Sequence, residues 1–457
     1  MLSTVLKQAL AGGAGAPLDP RLLTLSERPL DVPDVMMVLL QDALGRLQVI
    51  LPSDHLLDVD ALNRKLGRDL RAVPRGDLDV LLKRLKVERL WPVPTLTNFE
   101  TIVDNSVRTL PQVLFMLDAQ GNLASVDTGD FERVAARARW VDCAIPLSRI
   151  DVNLDEPGRD REQIHQALRR FTQLRIQQRL EDTLELPPLP ETARRIIHLR
   201  VDPEADVEDL AEVVESDPSL AAQVVSWASS SFYAAPGNVR SVHDAIVRVL
   251  GFDLVMNLAV GLSLGKSLKQ PKDAPDGLIA YWPQSIWMAQ GAGILSSLMP
   301  RNRRPAFGLA YLGGLLHNFG YLVLAHVFPP HFSLICRYTE ANRHLDSIWI
   351  EQWLLGITRE QIVAQLMQVW GMPEEVTVAL RQQKNPDYQG AHSDYANLLW
   401  MSRQLLAERG VALGLPQPVP GALYTRLGLN PELVAEEFDA LAESADQISS
   451  MAGMMAG

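Results

Sequence analysis

Leu186-Pro187-Pro188-Leu189-Pro190 and, further on, Glu215-Ser216-Asp217-Pro218-Ser219-Leu220-Ala221 divide this chain into two kinds of structure. Each proline lacks an amide donor and restricts the residue before it, so the first stretch stops a helix sharply. In the second, Asp217 supplies an N-cap and Pro218 a first helical residue ahead of Leu220, Val224, Val225 and Ala228. Ser241-Val242-His243-Asp244 reads as a capping box with Asp in place of Glu, and Gly251 as the stop after Ala245, Ile246, Val249 and Leu250. Residues 161–184 set Ile164, Leu168, Phe171, Leu174 and Ile176 on one broad face, an amphipathic connecting helix. Asn430-Pro431 opens a last helix with Val434, Phe438, Leu441, Ala445 and Ile448 on a common face, and the tail after Ser450 is expected to fray. From residue 161 onward the pattern is helical.

Upstream the period changes. Val35-Met36-Met37-Val38-Leu39-Leu40 and Leu47-Gln48-Val49-Ile50-Leu51 are apolar runs around a short Gly-containing loop, which predicts a hairpin with a buried strand. Asp58 caps a short helix that ends at Gly67. Further strands are predicted at residues 101–104 and 113–117, with a turn over 118–122 and a closing helix over 130–139. Residues 151–160 are acidic, contain Pro and Gly and are short of apolar residues, which predicts a linker. The expected class is therefore α+β and multidomain, a mixed α/β domain followed by an all-α one.

At 457 residues the chain has a prior of two or three domains. Hydrophobic residues at 47% and charged residues at 21% exclude a largely disordered chain. Cys143 and Cys336 cannot build a disulfide framework, and no CxxC pair offers a zinc site, which fits a reducing cytoplasm. A net charge of −12 argues against a protein that coats nucleic acid or an anionic membrane. No targeting segment is expected at the amino terminus. Residues 254–264 and 310–325 fall short of a spanning helix and read as buried core helices. Arg301-Asn302-Arg303-Arg304 reads as an exposed basic loop, His326 and His331 as loop or surface residues beside Pro329-Pro330, and Trp349, Trp353, Trp370 and Trp400 as mostly core.

The Leu-Pro-Pro-Leu-Pro stretch, residues 215–221, Ala228-Ser229-Ser230-Ser231-Phe232-Tyr233 and residues 241–251 together resemble the bacterial HDOD domain, a relative of the metal-dependent HD phosphohydrolases. The resemblance runs from about residue 184 to about 406. It implies a helical fold and a pocket in which a hydrolase would gather His and Asp around a divalent cation that activates water. Gly313-Gly314-Leu315-Leu316-His317-Asn318-Phe319-Gly320 matches the segment of the His-Asp pair, with Asn318 in place of the carboxylate. Gln284 stands where an upstream His is expected, Arg359 where a later one is, and Arg381-Gln382-Gln383-Lys384 in place of a His pair. Only His317 is kept, and it reads as a hydrogen-bonded core histidine. Neither a metal nor a cofactor is expected.

Residues 47–54, 57–67, 102–107 and 113–121 resemble, in order and spacing, the YbaK-type aminoacyl-tRNA deacylases. That family relies on a lysine at the start of the strand before a Pro-x-Asp turn, where a compact cation grips the acceptor end. Here Asp34-Val35-Met36-Met37 carries no cation, and the loop Arg89-Leu90-Trp91-Pro92-Val93-Pro94 keeps prolines but no glycine. Arg28, Arg46 and Asp104 are the residues the resemblance leaves to bind in such a cleft.

The resulting domain reading is 1–150 YbaK-like, 151–183 linker and connecting helix, 184–410 HDOD, and 411–457 a C-terminal helix with its tail. The expected function is a cytoplasmic, non-catalytic bacterial regulatory protein. It would bind signalling or regulatory proteins, and an aminoacyl ligand or tRNA acceptor end at its first domain, with no membrane partner. The alternatives are an aminoacyl-tRNA deacylase fused to a regulatory domain and, behind it, a metal-dependent phosphohydrolase.

Overall fold

The two apolar runs form a hairpin because they cover both faces of a sheet. In the computed structural model, which describes residues 4–11, 20–118, 121–177, 187–230, 232–233, 239–411 and 413–455, ten strands occur. They are β1 Arg21–Leu23, β2 Val35–Asp42, β3 Gly45–Pro52, β4 His55–Leu57, β5 Arg71–Ala72, β6 Glu100–Asp104, β7 Gln112–Met116, β8 Leu123–Asp127, β9 Arg139–Val141 and β10 Ala144–Pro146. β2 and β3 pair antiparallel from Val35↔Pro52 to Asp42↔Gly45, and the Asp42 carboxylate accepts the Leu44 amide across the turn at 2.8 Å. The five-stranded sheet has the order β5-β2-β3-β6-β9, with β3–β6 and β6–β9 parallel. Its central strand is buried from Leu47 to Pro52, as expected for a strand covered on both faces. A three-stranded sheet, β1-β8-β7, shares a core with it through Ile50, Val103, Val113, Phe115, Val126 and Phe131. The helix Val59–Leu66 is capped by Asp58 and ends on Gly67 at φ +65°, as read from the sequence.

The closing helix over 130–139 needs correction. Asp127 accepts the amides of Gly129 and Asp130, so the helix starts early and spans Thr128–Val134. Arg139–Val141 pairs instead with β6, where sheet pairing outweighs helical propensity.

The chain divides into two compact units. The first joins Met1–Asp151, Pro275–Gly277 and Ser333–Leu354; the second is Val152–Ala274, Leu278–Phe332 and Leu355–Gly457 and is helical. Asp217 and Asn430 cap their helices as predicted, and Gly251 stops its helix at φ +80°. The Asp244 carboxylate accepts the Arg240 amide rather than closing a box on Ser241. The connecting helix runs Asp160–Gln177; residues 178–184 of that reading, and the side chains of Phe171, Leu174 and Ile176, lie outside the described residues. The last helix is broken at Ser444 into Pro431–Glu443 and Ala445–Met455, which leaves Ala445 exposed. Residues 451–455 are not frayed, since Met451, Ala452 and Met455 are buried; residues 456 and 457 lie outside the described residues. Pro329 and Pro330 start a helix, Pro329–Ala341, so His331 sits in its first turn and His326 near the end of Phe319–Val327. The segment Phe307–Val327 is long and apolar enough to cross a bilayer, and 83% of its apolar window is buried in the protein. Trp370 and Trp400 are core residues, whereas Trp353 is exposed.

The segment 152–160 is anchored rather than solvated. Asp160 and Arg381 form an ion pair with side chains only 8% and 5% exposed. Asn153 and Gln361 donate to Asp160 Oδ1 at 3.1 and 2.8 Å, and Arg381 Nη2 donates to the Asn153 carbonyl at 2.8 Å.

Candidate functional site

Glycines bring the helices of the candidate pocket together. A Cβ on Gly314, in the helix Phe307–Leu316, would lie 2.5 Å from the Met288 carbonyl oxygen of the helix Tyr281–Leu298. One on Gly320, in Phe319–Val327, would lie 2.4 Å from the Arg359 carbonyl oxygen at the start of Arg359–Val369. Backbones this close leave no room for any other residue. His317 caps the first of these helices and Asn318 starts the next.

His317 is buried, with Nδ1 2.8 Å from the Gly314 carbonyl, and its own carbonyl accepts from Gln383 Nε2 at 2.8 Å. Burial lowers its pKa to about 3, aided by the charges of Arg403, Lys384 and Arg359 and opposed by the Gly314 bond. The imidazole is therefore neutral at physiological pH and donates from Nδ1. Because the unfolded chain takes up the proton first, folding stability is complete above the ordinary histidine range. It falls as pH drops from about 6.5 toward 3, by up to about 1.4 kcal/mol per pH unit. A His317→Gln variant is expected to lose this part of the acid limb; an unaltered stability-versus-pH slope in that variant would refute the assignment.

Gln284, Asn318 and Arg359 are joined in one hydrogen-bonded chain. Asn318 Nδ2 donates to Gln284 Oε1 at 3.1 Å, and Arg359 Nη1 donates to Asn318 Oδ1 at 2.8 Å. Gln284 Nε2 in turn donates to the Ile279 carbonyl. The Arg359 guanidinium also lies 5.4 Å from the centre of the Tyr321 ring. This set does not fit the divalent cation of an HD hydrolase. Each side-chain amide oxygen already accepts a hydrogen bond, the carboxylate is replaced by an amide, and the Arg359 cation repels a metal. Among the described residues no three His, Cys, Asp or Glu side chains gather to hold an ion.

In the α/β unit Arg28, Arg46 and Asp104 each bond to other partners. Arg28 lies 3.4 Å from Asp34, and Arg46 pairs with Asp77 at 2.7 Å and with Gln41 at 3.1 Å. Arg46 and Asp104 sit at opposite ends of the parallel pair β3–β6, where Leu47 is level with Glu100 and Ile50 with Val103. Asp104 is buried and accepts four hydrogen bonds, from the amides of Ser106, Cys143 and Ala144 and the Ser106 hydroxyl. It holds the approach to β10. The proline loop is anchored too: Gln48, buried in β3, donates to the Pro94 carbonyl at 2.6 Å, and Trp91 Nε1 donates to the Leu117 carbonyl at 3.2 Å.

Sequence reasoning missed a latch on β4. The Leu57 amide donates to Asn342 Oδ1 at 2.6 Å, and Asn342 Nδ2 donates to the Leu57 carbonyl at 3.1 Å, so this side chain copies a neighbouring strand. Tyr338 donates to Asp58 Oδ1 at 2.7 Å and accepts the Asp60 amide at 3.3 Å. His344 Nε2 lies 2.9 Å from the His55 carbonyl. A polar Asn342 in a helical stretch carries no sequence signal of a strand 285 residues earlier.

Residues 186–386 match the HDOD domain family, and the match does not extend into the α/β segment. A crystal structure described as a "Putative signal transduction protein" from Marinobacter aquaeolei VT8 is 56% identical, covers all of both chains and superposes with a TM-score of 0.91. An HDOD domain protein from Geobacter sulfurreducens, 20% identical over 64% of this chain and 99% of its own, has a TM-score of 0.51 and shares the fold. An uncharacterized protein of Treponema pallidum (strain Nichols) is 23% identical over 212 residues, 46% of this chain; the match spans 39% of that relative.

Proposed function

Residues 186–386 of the chain are an HDOD domain, and from that premise we propose that the protein is a non-catalytic cytoplasmic regulatory protein. Its helical domain serves as an interaction or sensing module through the pocket of Gln284, His317, Asn318 and Arg359, and its α/β domain as a second recognition module. The observation that carries this reading is the hydrogen-bonded chain from Gln284 through Asn318 to Arg359. Two amides and a guanidinium that bond to one another supply neither the carboxylate nor the imidazole ligands with which a hydrolase holds a metal and activates water.

Two measurements test it. Purified protein is expected to carry less than about a tenth of an equivalent of Mn, Fe or Mg by elemental analysis. It is also expected to leave mischarged tRNA hydrolysing at its spontaneous rate. Stoichiometric metal would restore the phosphohydrolase alternative. Ester hydrolysis well above background would replace the regulatory reading with that of a trans-editing deacylase, and would return Arg28, Arg46 and Asp104 to consideration as binding residues.

A further inference from the structure

A cleft of about 680 Å³ opens in the α/β unit between the turn of the β2–β3 hairpin, residues 67–74 and Glu340, all of which belong to that unit. β5 lies at the edge of the five-stranded sheet and borders this cleft. Arg71 is level with Gln41 of β2 and Ala72 with Leu40, and the Val73 amide donates to the Leu39 carbonyl at 3.0 Å. Bonded and non-bonded positions alternate in an antiparallel pair, so Arg71 bonds inward while the Ala72 amide and carbonyl point away from β2. The edge is closed on either side of that residue. Asn63 accepts the Leu70 amide at 2.9 Å and donates to the Leu70 carbonyl at 3.3 Å. Pro74 has no amide to offer, and its carbonyl accepts the Leu78 amide at 3.0 Å. Among the described residues nothing bonds to the outward amide and carbonyl of Ala72.

The charges around Ala72 divide into spent and available ones. Arg68 holds Asp42 through two bonds of 2.8 and 2.6 Å, and Asp69 faces two guanidiniums, Arg71 at 3.5 Å and Arg337 at 3.2 Å. Arg71 is exposed and spends its guanidinium only on that long contact. Glu340 accepts the Asp276 amide with Oε1, and among the described residues its Oε2 has no partner. One cation and one carboxylate therefore flank a strand edge that is open at a single residue. We propose that this cleft binds a short zwitterionic peptide in extended form, for which a tripeptide is the minimum. Its central residue pairs with the amide and carbonyl of Ala72, its terminal carboxylate meets Arg71, and its terminal ammonium meets Glu340. The two ends of an extended tripeptide need both signs of charge, which the lining supplies. The inference deepens the reading of the α/β domain as a recognition module; it rests on that reading for its biological use, but not for its test.

Calorimetric titration of the full chain with trialanine tests the site. Acetylating the peptide's amine, amidating its carboxylate, or methylating the nitrogen of its central residue is each expected to weaken binding at least about tenfold. Arg71→Ala is expected to weaken trialanine by the same factor while leaving the amidated peptide's affinity unchanged. Glu340→Gln, which keeps an oxygen for the Asp276 amide, is expected to act in the same way on trialanine and to leave the acetylated peptide's affinity unchanged. The altered peptides probe the same contacts on the unsubstituted protein, so the test stands even if a variant fails to fold. Absence of binding at millimolar trialanine overturns the proposal, and so does an affinity indifferent to the blocking of either end or to the methyl group. Metal content and ester hydrolysis decide the regulatory reading separately, and neither outcome there alters this one.

Discussion

Arg381→Met is expected to destabilise the protein by about 3–5 kcal/mol, because it strands a carboxylate that is out of reach of water. Asp160 is 8% exposed at its side chain and keeps only neutral donors, from Asn153 and Gln361, once the guanidinium is gone. The Asn153 carbonyl loses its donor as well. Adding Asp160→Asn to Arg381→Met is expected to recover a large part of the loss, since an amide needs no counter-charge; this recovery separates the charge effect from simple loss of packing. Chemical denaturation followed by tryptophan fluorescence measures both. A loss below about 1 kcal/mol in the single variant would mean that the pair is solvated and that residues 152–160 are a linker after all.

Asn342→Ala is expected to cost about 2–4 kcal/mol, the penalty for leaving a buried amide and a buried carbonyl of β4 without partners. Asn342 has no exposed surface and joins the Leu57 amide and carbonyl to the Tyr338 carbonyl. The expected loss is local in origin: protection of the Leu57 amide falls first, and the β2–β3 hairpin keeps its own ladder. A fragment limited to residues 1–151 lacks Asn342, Tyr338 and His344 altogether, so it is expected to unfold at lower denaturant than the α/β unit of the full chain. Equal midpoints for the two would show that the latch contributes nothing to folding.

The elements that were legible in advance are those whose cause is local. Asp58 and Gly67 bound their helix through a side-chain oxygen and a left-handed backbone, both of which are properties of one residue and its neighbours. The buried β2–β3 hairpin and the capped helices at Asp217 and Asn430 follow in the same way from apolar period and capping chemistry. The substitutions in the pocket were also legible, because Gln284, Asn318 and Arg359 could each be compared with the ligand expected at that place. Their mutual bonding was not, since an amide and a guanidinium have many possible partners and spacing selects none of them.

What the amino-acid order determined alone was the change of class near residue 150, the helix starts at Asp58, Asp217 and Asn430, and the presence of Gln284, Asn318 and Arg359 where ligands were expected. Only the tertiary structure decided that an acidic stretch read as a linker is held by Arg381, that residues 139–141 are a strand, and that a helical segment completes the α/β unit. Those outcomes depend on which groups meet after the chain has folded back on itself. A buried polar group takes whichever partner the packing brings within 3 Å, and that choice lies hundreds of residues away from anything a local pattern can weigh.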